Sequence, residues 1–133
     1  MHERGIVHGD VCANNVLCSD EGAVKLVNLS TAISIADVPG YQAARRVHAN
    51  WQAPEVIEGS AYRREVDIWA LGCFAYELAT GRPPFAKMAN WTKLLDHISK
   101  KEVPSIPGRW STSFQDFIDK CLEKKPEERY TAE

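Results

Sequence analysis

The sequence lacks an excess of charge of either sign. It has 16 lysines and arginines against 18 aspartates and glutamates in 133 residues, a formal net charge of −2. It therefore offers no basic surface of the kind that binds nucleic acid or anionic membranes. No signal-peptide pattern and no apolar run long enough to cross a bilayer is visible. We therefore expect no membrane partner and an intracellular, cytoplasmic protein.

Closely spaced cysteine pairs are also absent. The four cysteines are Cys12, Cys18, Cys73 and Cys121, and no two of them form a Cys-x-x-Cys pair. This spacing argues against a zinc site or a disulfide framework and favours reduced thiols. Internal repeats and low-complexity tracts are missing too. The composition, 44% hydrophobic and 26% charged, is typical of one globular domain.

What the sequence does have is one long apolar stretch, Glu65–Thr80. Its apolar residues would point to all sides of a helix, which predicts a helix that is buried all round. Gly81, followed by Pro83 and Pro84, ends it. Asp67 lies in its first turn, and two explanations are open. Its carboxylate accepts hydrogen bonds from backbone N–H groups of another segment, or it only complements the helix dipole.

The remaining pattern predicts a mainly helical domain with one small hairpin. β-like runs at residues 16–18 and 24–27 flank the turn-forming residues 19–22. Residues 28–53 show no sustained periodicity and are predicted to form a long surface loop. Loops of this length in a compact domain are usually functional.

Three further helices are expected after this loop. Pro54 can begin a short helix that Gly59 ends. Asn90 is an N-cap candidate for a helix over residues 91–101. The run Ser113-Phe-Gln-Asp116 resembles a capping box and predicts the start of the next helix.

One loop, His8-Gly-Asp-Val-Cys-Ala-Asn-Asn15, concentrates polar side chains just before the hairpin, and Asn28 follows the hairpin's second strand. Aspartate and asparagine oxygens suit Mg²⁺, and Asp10 is a candidate general base. The alternative is that Asp10 and Asn15 satisfy the loop's own backbone as turn residues, and that His8 is a packed core histidine.

Four motifs, in the right order, resemble those of the C-terminal lobe of a eukaryotic protein kinase. Residues 8–15 are similar to the catalytic loop His-Arg-Asp-x-x-x-x-Asn. Residues 27–30 stand in the place of Asp-Phe-Gly, and Ala53-Pro-Glu55 matches Ala-Pro-Glu. Residues 67–72 resemble the Asp-x-Trp-Ser-x-Gly start of the central helix. In addition, Arg129 fits the late arginine that pairs with the Ala-Pro-Glu glutamate.

The resemblance implies a fold. Residues 1–133 would be a partial protein kinase domain, from the catalytic loop to the start of the last helix. This is a mainly α C-terminal lobe with one small β-hairpin and a long activation-segment loop, and the N-lobe is absent. By the same resemblance, Asp67 holds the backbone of the catalytic loop, and Glu55 and Arg129 form a partly buried ion pair.

The family's cofactors, ATP and Mg²⁺, are implied as well, with Asp10 as the catalytic residue and Asn15 as a nucleotide and metal ligand. Two positions depart from the family pattern. Asn28 stands where an aspartate holds Mg²⁺, so metal and nucleotide binding there should be weakened. Cys12 stands at the catalytic lysine position, where a neutral thiol cannot neutralise the charge on a transferring phosphate. Losing one such group typically costs on the order of 10²–10³ in rate.

Features linked to regulation depart too. Gly9 replaces the arginine that gathers a phosphorylated activation loop. Consistently, residues 35–59 contain no serine or threonine, only Tyr41. Ser30 replaces the glycine of Asp-Phe-Gly.

Two functions follow from the resemblance. Residues 50–57 and 77–85 look most like the Ste20-like and MAP-kinase-kinase-kinase group of serine/threonine kinases. The first function is a pseudokinase-like signalling or scaffold module with impaired Mg-ATP phosphotransfer that binds a protein partner. The alternative is a fragment of a divergent, active kinase that transfers the γ-phosphate of ATP to serine or threonine of a protein substrate. Because the N-lobe is missing, this chain alone is expected to be inactive.

Overall fold

The computed structural model describes residues 1–37, 49–60, 62–88, 90–100 and 103–132. The α-helices are α1 (Pro54–Glu58), α2 (Glu65–Thr80), α3 (Trp91–Lys100) and α4 (Thr112–Cys121). The strands are β1 (Ile6–Val7), β2 (Val16–Cys18), β3 (Val24–Leu26) and β4 (Ile33–Ser34). No helix within the described ranges is both long enough and apolar enough to cross a bilayer.

The central helix α2 has the bounds that the sequence predicts. Gly81 adopts the left-handed conformation (φ 75°), and its N–H donates to the carbonyl of Glu77 (2.7 Å). Most of the helix is buried, and α4 packs closely on it at Gly72. A Cβ added at Gly72 would lie 2.7 Å from the Cβ of Cys121. Helix α4 therefore packs directly on α2, whereas α1 and α3 pack mainly against each other.

Helix α3 begins as predicted, but α4 does not. The Oδ1 of Asn90 accepts a hydrogen bond from the N–H of Lys93 (2.9 Å), which confirms the N-cap. For α4, the capping-box prediction at Ser113 is wrong. The N-cap is Ser111, whose Oγ accepts a hydrogen bond from the N–H of Phe114 (3.2 Å). Because the helix begins at Thr112, directly after this N-cap, Ser113 lies inside the first turn.

The β-structure exceeds the prediction by one sheet. The hairpin β2–β3 is confirmed, with Val16 opposite Leu26. However, β1 and β4 form a second antiparallel pair, in which Val7 lies opposite Ile33. The expected long loop over residues 28–53 therefore contains a strand near its start. Its middle part, residues 38–48, lies outside the described residues.

An ion pair joins α1 to the end of the chain, as the resemblance implies. Arg129 Nη1 and Nη2 donate to Oε1 and Oε2 of Glu55 (2.6 and 2.8 Å), and both side chains are buried. Arg129 also donates to the carbonyls of Glu65 (2.9 Å) and Glu123 (2.8 Å). Its guanidinium carbon lies 5.1 Å from the ring centroid of Trp69. Arg129 is therefore fully partnered inside the core.

The four cysteines are free thiols, as their spacing predicts. Cys73 and Cys121 are buried between α2 and α4, and burial raises the pKa of the Cys121 thiol to about 11. Neutral, buried thiols of this kind behave as small apolar core residues.

Candidate functional site

Residues 8–15, called the site loop below, are held by the carboxylate of Asp67 in the first turn of α2. Asp67 Oδ2 accepts a hydrogen bond from the backbone N–H of His8 (2.8 Å), and Oδ1 accepts one from the N–H of Gly9 (2.8 Å). His2 Nε2 donates to Asp67 Oδ2 as well (2.8 Å). Of the two explanations for Asp67, backbone anchoring is confirmed. The contact from His2 is one that the sequence reasoning missed.

His8 is a buried structural residue, as one of the two alternatives held. Its Nδ1 accepts a hydrogen bond from the N–H of Asp10 (3.2 Å), and its Nε2 lies 2.9 Å from the carbonyl oxygen of Val27. Because a carbonyl only accepts, the ring proton is on Nε2. Thr31 Oγ1 also donates to the carbonyl of His8 (2.9 Å). His8 thus ties the site loop to the residue after β3.

Asp10 and Asn15 form the centre of the site. Asn15 is buried, and its Nδ2 donates to the backbone carbonyl of Asp10 and to its Oδ2, both at 2.7 Å. The first bond satisfies the loop's own backbone, as expected of a turn residue. The second orients the carboxylate. Asp10 Oδ1 is buried and has no hydrogen-bond partner among the described residues, so it is the free acceptor of the site.

Cys12 lies against this pair. Asn15 Nδ2 is 3.4 Å from the Cys12 Sγ, and the cysteine is buried. Burial, and after it the negative charge of Asp10, raises the pKa of the Cys12 thiol. The thiol is therefore neutral near pH 7. It supplies no positive charge at the position where the resemblance implies a lysine.

Asn28 completes the cluster. Its backbone has φ 65°, a left-handed conformation that asparagine tolerates better than most residues. Its Nδ2 donates to Asn15 Oδ1 (3.1 Å), and its Oδ1 accepts a hydrogen bond from Ser30 Oγ (2.7 Å). The four predicted site residues, Asp10, Cys12, Asn15 and Asn28, are thus brought together. Their functional roles stay predictions.

The arrangement does not fit Mg²⁺. Mg²⁺ prefers an octahedron of oxygen ligands and is usually held by one or two carboxylates. Here Asn15 Oδ1 already accepts an N–H, and Asn28 Oδ1 already accepts a hydroxyl. Within the described ranges, no three histidine, cysteine, aspartate or glutamate side chains lie together as a metal site.

A cavity beside Asp10 was not anticipated from the sequence. It lies between the site loop and the segment that leads into α1, and Trp51, Gln52 and Tyr62 line part of it. No motif pointed to it, because its lining residues come from separate segments. Asp10 also borders this cavity, whose volume of about 20 Å³ is room for roughly one water molecule.

Gly9 sits where a side chain has no room, so we expect Gly9→Ala to destabilise the fold. Its φ is +79°, and an added Cβ would lie 2.3 Å from Tyr62 Oη and 3.1 Å from the carbonyl oxygen of Thr31. The left-handed backbone alone costs an L-residue about 1–2 kcal/mol, and displacing Tyr62 adds to this. Urea denaturation measures the change.

The matched control is Gly5→Ala. Gly5 also has a positive φ, +67°, but an added Cβ there meets nothing within 4 Å. It therefore reports the backbone cost alone. Placing Gly9→Ala in a Tyr62→Phe background should recover part of the loss, because the hydroxyl is the nearest atom. Equal losses for the two alanine variants would show that Tyr62 does not fill the space at Gly9.

Known proteins are similar to this chain along nearly its whole length. The family model described as protein kinase domain matches residues 1–133. The serine/threonine-protein kinase hippo of Drosophila melanogaster is 39% identical over 134 residues, and cst-1 of Caenorhabditis elegans is 38% identical over 134. The serine/threonine-protein kinase TAO2 of Rattus norvegicus is 37% identical over 137 residues.

The alignments cover this chain almost entirely but its relatives only in part. They include 99% of the chain for hippo and cst-1 and 100% for TAO2. The chain spans 20% of the length of hippo, 27% of cst-1 and 11% of TAO2. The similarity therefore concerns one part of proteins that are several times longer.

Proposed function

We propose a function for this chain, which belongs to the protein kinase family. It is a partial kinase domain of the Ste20-like and MAP-kinase-kinase-kinase group, with impaired phosphotransfer from Mg-ATP. It acts as a pseudokinase-like signalling or scaffold module that binds a protein partner inside the cell, in the cytoplasm. Taken alone, the chain is inactive.

The observation that carries the proposal is the side chain at position 28. The amide of Asn28 faces Asn15 with its N–H group (3.1 Å), where the family pattern places a carboxylate. An amide adds no negative charge to hold a cation against phosphate. The neutral thiol of Cys12 also leaves out the positive charge that the family pattern places beside the transferring phosphate. Each such loss typically lowers the rate on the order of 10²–10³.

The surface next to the site supports the view that the chain holds only half of a nucleotide site. Val24 and Leu26 lie on the same face of the hairpin and are exposed, and Leu29 just beyond it is exposed as well. Exposed apolar side chains on a shared face mark a surface that another part of a protein covers. In the proposal, a second lobe covers this face and completes the nucleotide site.

A divergent, weakly active serine/threonine kinase is the second candidate. Asp10 favours it, because its carboxylate is oriented by Asn15 and keeps Oδ1 without a partner among the described residues. A small, water-sized cavity borders Asp10. This geometry suits acceptance of a proton from a hydroxyl substrate.

Phosphotransfer in the full-length protein separates the two candidates. We expect the natural protein to stay at background with ATP and Mg²⁺, and the double variant Asn28→Asp/Cys12→Lys to gain activity. The matched control is Asn14→Asp/Cys18→Lys, which makes the same chemical changes at exposed positions. Phosphotransfer by the natural protein that is lost in Asp10→Asn would overturn the proposal and support the second candidate.

A further inference from the structure

Asp10 sets the direction of a chain of hydrogen bonds through the site. Asn15 Nδ2 faces the backbone carbonyl and Oδ2 of Asp10, and both of these oxygens only accept. The amide nitrogen of Asn15 must therefore point to Asp10 and its oxygen away from it. That oxygen faces Asn28, which has to meet it with N–H. Ser30 then donates to the remaining oxygen of Asn28 (2.7 Å).

The consequence is that each of the two amide oxygens already accepts one hydrogen bond. A divalent cation needs oxygen lone pairs turned toward it. In this chain, the position next to Asn15 Oδ1 is taken by the positive end of the Asn28 amide dipole. A cation placed there would meet N–H hydrogens. A carboxylate at position 28 would have the opposite effect, because two acceptor oxygens about 3 Å apart need a proton or a cation between them.

We propose that the Asn28 amide takes the place of a divalent cation in this site, so that the site is closed to Mg²⁺ and Mn²⁺ and meets nucleotide phosphates without metal. The inference rests on the proposed function only in taking this cluster as the nucleotide-facing site. Ser30 is the positioning residue, since its hydroxyl keeps the amide oxygen of Asn28 turned away from Asn15. The position between the two amides is therefore already occupied, which is a stronger statement than weak metal binding.

Mn²⁺ binding to this chain, followed by electron paramagnetic resonance, tests the proposal. The natural chain should show no saturable site, only weak uptake by its surface carboxylates. Asn28→Asp should take up one Mn²⁺ per chain. Its affinity should exceed that of the Asn14→Asp control on the order of tenfold or more, because the substitution turns an N–H into a charged oxygen. The left-handed backbone at position 28 tolerates aspartate nearly as well as asparagine.

The control is Asn14→Asp, which adds the same charge one residue before Asn15, at an exposed position. It should behave like the natural chain. A second readout is the melting temperature: Asn28→Asp should melt lower in EDTA and recover in Mn²⁺, whereas the natural chain should be unchanged. If Asn28→Asp does not fold, the titration of the natural chain still decides, because a missing saturable site supports the proposal.

A saturable Mn²⁺ site in the natural chain overturns the inference, and so does an Asn28→Asp variant that binds no better than Asn14→Asp. Neither result bears on phosphotransfer, which is measured separately in the full-length protein. Metal uptake without phosphotransfer would remove this inference and leave the proposed function standing. Phosphotransfer by the full-length protein without metal uptake by this chain would remove the proposed function and leave this inference standing.

Discussion

Arg129→Ala should lower the free energy of unfolding by about 3–5 kcal/mol, because it leaves the buried carboxylate of Glu55 without its charge partner. The same change removes donors to two backbone carbonyls and the guanidinium over the ring of Trp69. In a chain of this size, each kcal/mol corresponds to roughly 3–4 °C in melting temperature. Thermal and urea denaturation would both register such a loss.

Two further variants make this measurement specific. Arg109→Ala removes an exposed arginine and should stay within about 0.5 kcal/mol of the natural chain. Arg129→Lys keeps the charge but not the two parallel bonds to Glu55, so it should fall between the natural chain and Arg129→Ala. An unchanged melting temperature in Arg129→Ala would remove the assigned ion pair from the account.

Asp67→Ala is the second substitution expected to have a large effect. It removes the carboxylate oxygens that accept two backbone N–H groups, those of His8 and Gly9. Each buried N–H left without an acceptor costs about 1–3 kcal/mol. The site loop should loosen as well, so amide hydrogen exchange at His8 and Gly9 should accelerate more than exchange in α4.

Asp119→Ala serves as the control, because it removes an exposed helical aspartate. Asp67→Asn offers a finer test. It retains one acceptor oxygen and turns the other into a donor, so it should lose the equivalent of one bond. Unaltered exchange at His8 and Gly9 in Asp67→Ala would mean that the carboxylate does not hold the site loop.

The sequence predicts the elements whose residue patterns extend over many positions and misses the shortest ones. The bounds of α2 follow from an apolar stretch that a glycine and two prolines close, and the structure reproduces them. The hairpin follows from β-like runs on either side of a turn. By contrast, β1 and β4 have two residues each, too few to show a period of two. Their pairing comes from tertiary contact rather than from local propensity.

The start of α4 was misplaced for a related reason. Ser111 and Ser113 both have the chemistry of an N-cap, and backbone conformation distinguishes them. Ser111 has the extended backbone of an N-cap residue (φ −62°, ψ 149°), whereas Ser113 is already helical, and the capping-box pattern does not record this. Boundaries of this kind depend on geometry that residue types leave open.

The candidate site shows the same division. The resemblance placed Asp10, Cys12, Asn15 and Asn28 in one site, and the structure brings them into contact. The direction of the amide chain was not predictable, because it follows from the contacts of Asn15 Nδ2 with the backbone carbonyl and Oδ2 of Asp10. The sequence showed Ser30 only as a replacement for the glycine of Asp-Phe-Gly, and it did not predict the hydrogen bond from its hydroxyl to Asn28.

The most direct test of the central claim is the melting temperature of this chain with ATP, measured in Mg²⁺ and in EDTA after circular dichroism has shown the chain to be folded. The same comparison in the full-length protein prevents a missing half-site from producing the result by itself. The account predicts that Mg²⁺ adds nothing to any shift that ATP causes, because Asn28 presents N–H where a metal ligand is needed. A rise in melting temperature that requires both ATP and Mg²⁺ would contradict it.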